Sequence, residues 1–297
     1  MNRKLVSLFL ALLLAVCPIA FAEDASITVT DMMGRDITLS EPATRVVALT
    51  ASDCEILYAL GAGDMLVGRG EYCDYPPEVL EITPVQSGME TNVEQILSLN
   101  PQVVLMSSMA QAVEVVNQLE SAGIAVVVSD AKDIEGTYTA IRLIGALMGR
   151  NDEAEAIVAD MHATFDDIAA KAENIGKTIY FESSPLQWGL WAAGSGTFMD
   201  ELAAMCGLTN AFADVESYAA ISEEQVLERN PDYIVTNAMA FGDELAPDTE
   251  IMSRAGWESI SAVANGDVYW DSTNAMTRPG PRLKDAAIAL YEFISAE

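Results

Sequence analysis

One motif occurs twice in the sequence, 130 positions apart. Residues 92–105 read NVEQILSLNPQVVL, and residues 222–235 read SEEQVLERNPDYIV. Each copy begins with a residue that can cap a helix, Asn92 or Ser222, followed three positions later by a glutamine. Each copy then reaches Asn-Pro, which cannot continue a helix, and enters an apolar run typical of a buried strand. The chain therefore repeats a helix–strand unit, which predicts two similar lobes.

Two weaker echoes follow the same order along the chain. Residues 55–61 resemble residues 201–207, each a helical turn ended by glycine, and residues 122–128 resemble residues 265–270. Apolar runs alternate with helical patterns in both halves, which predicts mostly parallel sheets. The predicted fold class is therefore α/β, with two similar lobes that have mostly parallel sheets and a ligand cleft between them.

Four segments are expected along the chain. Residues 1–22 have the layout of a secretory signal peptide, with Arg3 and Lys4 before an apolar run and small residues at its end. A lipid anchor at Cys17 is the alternative. Residues 23–150 are predicted to form the N-terminal lobe and residues 176–297 the C-terminal lobe. Residues 151–175 are predicted to form one long connecting helix, because residues 152–174 lack Gly and Pro and have apolar residues at helical spacing.

Charge and cysteine content exclude several classes of function. The formal net charge is -30, so we expect no nucleic acid partner and no direct attraction to anionic lipids. Without the first 22 residues, three widely spaced cysteines remain (Cys54, Cys73 and Cys206), which is not a disulfide framework, although one bridge is possible. The single histidine, His162, cannot build a His-rich metal site. We therefore expect neither a catalytic residue nor a protein-built metal site.

Aromatic residues on loops are the candidates for ligand contact. Tyr72 and Tyr75 stand in the loop before Pro76-Pro77, and their rings suit a planar or apolar ligand if they face the cleft. The alternative is that both tyrosines pack on their own lobe. The second half offers Trp188, Trp191, Tyr218 and Phe241, and we expect at least one of the two tryptophans to fill the core.

Charged residues supply two further candidates. In the sequence Arg278-Pro-Gly-Pro-Arg282 we expect Arg278 to face the cleft and donate to an anionic group of the ligand, and Arg282 to be structural. The alternative is that one of the two arginines pairs with an aspartate of its own lobe. Glu94 and Glu224 occupy matching positions in the two repeated helices. The helix macrodipole is a sufficient reason for either acid. Their pairing also suits docking onto a two-fold symmetric partner.

Several motifs together resemble a known family. They comprise Asp31 to Arg35, Glu55 to Gly68, Asp74-Tyr-Pro-Pro-Glu78, both Glu-Gln-x-Leu-x-x-Asn-Pro-type motifs, and Arg278 to Arg282. This set is similar to the substrate-binding proteins of ABC importers for iron-siderophore complexes, haem and cobalamin. The resemblance implies two α/β lobes joined by one long helix. It also implies that Glu94 and Glu224 engage the two membrane subunits of the permease.

The resemblance also implies a function and a ligand class. Tyr72 resembles a ligand-contacting tyrosine of the cobalamin binders, and Trp191, Tyr218 and Arg278 fall at pocket positions of that group. The expected protein is an exported receptor, periplasmic or at the cell surface, with no intrinsic cofactor. It would capture a ferric siderophore or a corrinoid and deliver it to an ABC permease dimer with its ATPase. A haem-binding receptor and a secreted two-lobe enzyme resembling a glycosyl transferase are the alternatives.

Overall fold

The structure is a computed structural model that describes residues 26–88, 90–108, 113–238 and 245–296. Its first element is an N-terminal hairpin. Strands β1 (Ile27–Thr30) and β2 (Asp36–Leu39) pair in antiparallel order. The buried carboxylate of Asp31 accepts hydrogen bonds from the Arg35 guanidinium and from the backbone N–H of Val128. The hairpin is thereby held against the sheet of the first lobe.

The first lobe is a five-stranded parallel sheet covered by helices on both faces. Its strand order is β5-β4-β3-β6-β7. The central strands are buried along their whole length, as expected where helices cover both faces of a parallel sheet. In chain order its elements are β3 (Val46–Ala48), α1 (Ala51–Ala59), β4 (Leu66–Gly70), β5 (Pro84–Val85), α2 (Val93–Ser98), β6 (Val103–Met106), α3 (Val113–Ser121), β7 (Ala125–Val128) and α4 (Ile134–Leu147).

Helix α5 (Asn151–Lys171) joins the two lobes. It has 21 residues, so it is about 30 Å long. Its buried residues follow helical spacing: Ala154, Val158, Met161, Phe165 and Ile168. The sequence predicted a helix as far as residue 175, but α5 ends at Lys171. Ala172 already has an extended backbone, and the Asn174 side chain then accepts a hydrogen bond from the Gly176 N–H where the chain turns toward the next strand.

The second lobe contains a six-stranded mixed sheet. Its path is β11-β9-β8-β12-β13, and β10 also pairs with β8. Strands β8, β10, β12 and β13 are parallel, whereas β9 runs antiparallel to its neighbours. In chain order the elements are β8 (Thr178–Ser184), β9 (Trp191–Ala193), α6 (Phe198–Met205), β10 (Thr209–Asn210), β11 (Tyr218–Ala220), α7 (Glu223–Arg229), β12 (Tyr233–Thr236), α8 (Pro247–Met252), α9 (Ser261–Asn265), β13 (Val268–Trp270) and α10 (Leu283–Ser295).

The repeated motifs occupy equivalent places in the two sheets. Helices α2 and α7 are capped by Asn92 and Ser222, each of which accepts a hydrogen bond from the N–H three residues later. After each helix an asparagine, Asn100 or Asn230, takes a positive φ and leads into a buried strand. Each of these strands, β6 and β12, lies between two parallel neighbours, so β3-β6-β7 corresponds to β8-β12-β13. The predicted fold class of two similar α/β lobes is confirmed.

A single apolar core runs through both lobes. It contains buried residues of both sheets together with α5 and α10, among them Val46, Phe165, Phe181 and Leu290. Smaller clusters cover the outer face of each sheet. Because the shared core passes through α5, this helix holds the two sheets in a common packing arrangement.

Candidate ligand-binding cleft

The cleft between the lobes lies at the carboxyl ends of the parallel strands. In the first lobe Glu71 and Tyr72 follow β4 directly, and in the second lobe Ser183 and Ser184 end β8. These residues line a cavity of about 560 Å³. Ligands of parallel α/β sheets bind at this edge because the loops that leave the strands form a crevice there.

A second cavity of about 420 Å³ continues the first one. Ser183, Ser184, Asn237 and Thr277 line both cavities, so the two form one cleft. The hydroxyl of Ser183 is buried and has no hydrogen-bond partner among the described residues. Leaving a buried polar group unpaired is unfavourable, so this hydroxyl is suited to bind a polar group of a ligand.

Four aromatic rings with large exposed areas line the cleft. Tyr72 and Trp188 lie in the larger cavity and are 73% and 61% exposed. Trp191 and Tyr218 lie in the smaller cavity, where they begin the paired strands β9 and β11. Exposed apolar surface of this size typically marks a binding site. The expectation that a core position holds Trp188 or Trp191 is wrong, since the buried tryptophan of this lobe is Trp257.

The Tyr218 phenol is neutral at physiological pH. Burial raises its pKa to about 12. A neutral phenol can both donate and accept a hydrogen bond, so Tyr218 offers a polar contact at the edge of an aromatic surface.

Two aromatic candidates, Tyr75 and Phe241, are not among the described residues that line the cleft. Tyr75 is absent from the lining of both cavities, and its ring packs under the Arg282 guanidinium at 3.9 Å from the ring centroid. The peptide bond between Tyr75 and Pro76 is cis. This tyrosine therefore supports the cleft loop rather than lining the cavity. Phe241 lies outside the described residues.

Two arginines of the second lobe share a carboxylate of the first lobe. Glu55 of α1 is almost fully buried and accepts hydrogen bonds from Arg282 Nε and Nη2 at 2.9 and 2.6 Å. Its Oε1 also accepts from Arg278 Nη1 at 3.1 Å. Arg278 Nη1 donates in addition to the half-exposed Asp74 at 2.5 Å. These residues (Glu55, Asp74, Arg278 and Arg282) are called the interlobe ion cluster below.

The interlobe ion cluster differs from what the sequence predicted in one respect. The structure puts Arg278 in the lining of the larger cavity and Arg282 against buried Glu55, and the ion pairs of both arginines cross to the first lobe, so the alternative of a pair within one lobe is wrong. Sequence reasoning did not assign roles to Glu55 and Asp74. Both lie inside the motifs that resemble the family, Glu55 to Gly68 and Asp74 to Glu78.

Two further depressions lie outside the cleft. A shallow groove of about 960 Å³ lies at the amino ends of the first-lobe strands, where Gln102 and Arg45 already bond to backbone groups. A cavity of about 290 Å³ adjoins the cleft through Pro185 and Ala238. Its wall contains Glu182, which forms a buried two-point ion pair with Arg254. In these walls Arg45, Gln102 and Glu182 are therefore engaged in contacts within the fold.

Residues with metal-binding or redox chemistry do not form a metal site in the described part of the chain. Within the described ranges no group of three or more His, Cys, Asp or Glu side chains is arranged to hold a metal ion. His162 lies on α5 and contacts the Tyr138 ring at a centroid distance of 4.2 Å. Cys54, Cys73 and Cys206 are buried and free.

Glu94 and Glu224 are exposed at the second positions of α2 and α7. Strands β5 and β11, which precede these helices, run parallel to β4 and β8, so both glutamates lie toward the edge of the sheets that carries the cleft. The pKa of Glu224 is lowered by hydrogen bonds from its own backbone N–H and from the Ser222 hydroxyl. Each lobe thus presents one acidic side chain at an equivalent site beside the cleft.

The chain is similar to several substrate-binding and transport proteins of known sequence or structure. An uncharacterized ABC transporter substrate-binding lipoprotein of Bacillus subtilis is 34% identical over 275 residues, which cover 90% of this chain and 85% of that protein. The crystal structure of the vitamin B12-binding protein of Vibrio cholerae has a TM-score of 0.70 at 25% identity, covering 86% of this chain and 98% of that chain. The structure of an ABC-type Fe3+-hydroxamate transport protein from Saccharomonospora viridis has a TM-score of 0.74 at 25% identity, covering 90% and 98%.

No helix in the described part of the chain combines the length and apolar character that crossing a membrane requires. A family model with the description "Periplasmic binding protein" matches residues 46–274, which include both sheets and the helix that joins them. The chain belongs to this periplasmic binding protein family.

Proposed function

We propose that this protein is the extracytoplasmic receptor of an ABC importer, and that it captures a ferric siderophore or a corrinoid between its lobes. The observation that carries the proposal is the continuous interlobe cleft, with four exposed aromatic rings beside hydroxyl and amide groups. Rings provide flat contact area for a macrocycle or chelate, and the polar groups orient it. Relatives named for vitamin B12 and for Fe3+-hydroxamate support this ligand class.

The protein performs no covalent chemistry in this proposal. The chelate would arrive with its metal already coordinated, bind through Tyr72, Trp188, Trp191 and Tyr218, and leave unchanged. The match to a family of binding proteins supports this reading over a secreted enzyme resembling a glycosyl transferase. A haem-binding receptor is the less favoured alternative: the single histidine lies on α5 against Tyr138 and not in the cleft lining, so a tyrosine such as Tyr72 would have to ligate the iron.

Delivery would use the two glutamates beside the cleft. Glu94 and Glu224 are exposed and occupy equivalent helices of the two lobes, so they suit a partner whose cationic pockets are related by two-fold symmetry. The permease dimer, working with its ATPase, is that partner. The protein would be exported by residues 1–22, which lie outside the described residues. It would then act in the periplasm, or at the cell surface if Cys17 carries a lipid anchor.

The first test is a titration of the mature chain followed by tryptophan fluorescence. Cyanocobalamin and a ferric trihydroxamate are added separately, and quenching at micromolar or lower concentration is expected because Trp188 and Trp191 line the cleft. Trp188→Phe and Trp191→Phe variants should each lose part of the quenching. Absence of saturable binding by either class of chelate would contradict the proposal.

The docking role is tested separately by uptake. Replacing Glu94 and Glu224 together by glutamine should abolish uptake of the bound chelate into cells while the affinity of the purified protein stays the same. Glu114→Gln combined with Asp285→Asn is the matched control, because these are exposed acids in the first turns of α3 and α10, one on each side of α5 in the chain. An equal loss of uptake in the control would contradict a specific docking role.

A further inference from the structure

The charges around the cleft carry an inference about its ligand that rests on the proposed function. We infer that the cleft selects metal chelates that carry no net negative charge, and that Asp74 imposes this selection by occupying Arg278.

The interlobe ion cluster is balanced only because Asp74 is part of it. Arg278 and Arg282 bring two positive charges, and Glu55, which both arginines contact, brings one negative charge. Without Asp74 the cluster would carry one excess positive charge beside the cavity and would attract an anionic ligand. The Asp74 carboxylate, 2.5 Å from Arg278 Nη1, supplies the missing negative charge from the protein itself. It therefore takes the place that an anionic group of a ligand would need.

No other cation is available in the cleft lining. Every lysine and arginine except Arg3 and Lys4 lies within the described residues, and of these Arg278 is the one that lines either cavity. The exposed Lys132 follows β7, and its carbonyl accepts the Phe198 N–H, but Lys132 is outside both linings. The internal segments outside the description contain no lysine or arginine in the sequence.

The surroundings of the cavity add negative charge. Glu71 is exposed and lines the larger cavity next to Asp74. The whole chain has a formal net charge of -30, so its long-range field repels anions as they approach. Arg69 is buried behind this wall, where its Nη1 donates to the carbonyls of Gly70 and Glu71, and it lies outside both linings. A chelate with carboxylates or uncompensated catecholate oxygens would therefore meet acidic groups and no unpaired cation in the lining itself, and its desolvation would not be offset.

Neutral acceptors, by contrast, find suitable donors. The contacts of Arg278 to Glu55 and Asp74 all use Nη1, which leaves its Nε and Nη2 able to donate to a carbonyl oxygen. The hydroxyls of Ser183 and Ser184 and the amide of Asn237 line the same space. Amide and hydroxamate oxygens match these donors. The chemistry therefore favours neutral or cationic ferric trihydroxamates and corrinoids with an uncharged amide periphery.

Two ligand series, each matched in shape, test the inference with the mature chain. The first is cyanocobalamin against its derivative with one side-chain amide hydrolysed to a carboxylate. The second is ferrioxamine B, its neutral N-acetyl form and its anionic N-succinyl form. Tryptophan fluorescence titration should give affinities for the anionic members at least about tenfold weaker than for the uncharged members.

Asp74→Asn identifies the residue responsible. This variant frees one positive charge at Arg278, so the preference for uncharged over anionic members should shrink by about tenfold or reverse. Glu78→Gln is the matched control, because it removes an exposed acid four residues away that lies outside the cavity lining, and its preference should equal that of the wild type. Thermal unfolding of both variants checks that the fold is retained.

The outcomes separate this inference from the proposed function. Anionic members that bind as tightly as uncharged ones, or an Asp74→Asn variant with unchanged preference, would overturn the charge selection and leave the receptor function standing. Failure of every member of both series to bind would overturn the proposed function, and the inference with it.

Discussion

Glu55 offers the sharpest test of how the two lobes are held together. Its side chain is 2% exposed and accepts three hydrogen bonds from Arg278 and Arg282. The perturbation is Glu55→Gln, which keeps the size of the side chain and one acceptor oxygen but removes the charge. Arg278 then has Asp74 as its remaining carboxylate partner, and Arg282 has none among the described residues. Because Asp74 is 53% exposed, solvent screens its attraction, so it offsets only part of the loss at Arg278 and none at Arg282.

The expected magnitude follows from the burial of the cluster. Removing one partner of a buried ion pair typically costs about 3 to 5 kcal/mol, because the remaining charge stays desolvated. The retained amide oxygen still accepts one hydrogen bond, so we expect a loss near the lower end, about 3 kcal/mol in the free energy of unfolding. An exposed acid of the same lobe, Glu81, is the control, and Glu81→Gln should change stability by less than about 0.5 kcal/mol.

Urea denaturation of the mature chain at neutral pH, followed by far-ultraviolet circular dichroism, measures the difference. A loss below about 1 kcal/mol would refute the reasoning, since it would make the cluster no stronger than a surface ion pair. The double variant Glu55→Gln with Arg282→Met supplies an internal check. If the two residues interact as the structure indicates, the double variant loses less than the sum of the two single losses.

Two predictions concern buried titratable groups. Burial raises the pKa of Asp53 from 3.8 to about 6, against hydrogen bonds from Ser129 and Thr50 that lower it. The folded chain thus holds this proton more tightly than the unfolded chain, so the stability contributed by Asp53 is present below pH 3.8 and is lost as the pH rises through about 6. Urea denaturation should show Asp53→Asn gaining roughly 2 to 3 kcal/mol relative to wild type between pH 4 and pH 7.5; a constant difference would contradict this. The pKa of Cys54 is raised by its hydrogen bond with Cys73 and by burial, and that of Cys206 is raised to about 12 by burial. A thiol reagent at pH 8 should therefore label the mature protein only after denaturation, as mass spectrometry can check, and stoichiometric labelling of the native chain would disprove it.

The repeated architecture could be predicted because its signals are local. Helix caps such as Asn92 and Ser222, the Asn-Pro turns, and apolar runs act within a few residues of one another. Even so, the two copies differ in detail. The Gln225 side chain accepts from the Ser222 N–H and completes a capping box, whereas Gln95 accepts from Gln86 in a neighbouring loop. The shared motif therefore predicted a capped helix in both copies, but the neighbouring loop determined which backbone N–H donates to the glutamine side chain.

For the aromatic candidates, the sequence predicted their position near the cleft but not which rings are exposed. Tyr72, Trp191 and Tyr218 lie on loops or strand starts at the edge of the sheets where a cleft was expected. The sequence could not tell which rings turn outward. Tyr75 is only three residues from Tyr72, yet it packs under Arg282. At least one of Trp188 and Trp191 was expected in the core, yet both are exposed and Trp257 is the buried tryptophan.

The class of the fold, the duplication and the acidic character of the chain follow from the amino-acid sequence alone, because periodicity, capping and charge are properties of short segments or of composition. The contact of Arg278 and Arg282 with Glu55, which lies more than 220 positions earlier in the chain, follows instead from the packing of the two lobes. That pairing depends on how the shared core around α5 orients one lobe against the other. No local signal encodes this orientation, and the charge of the cleft follows from it.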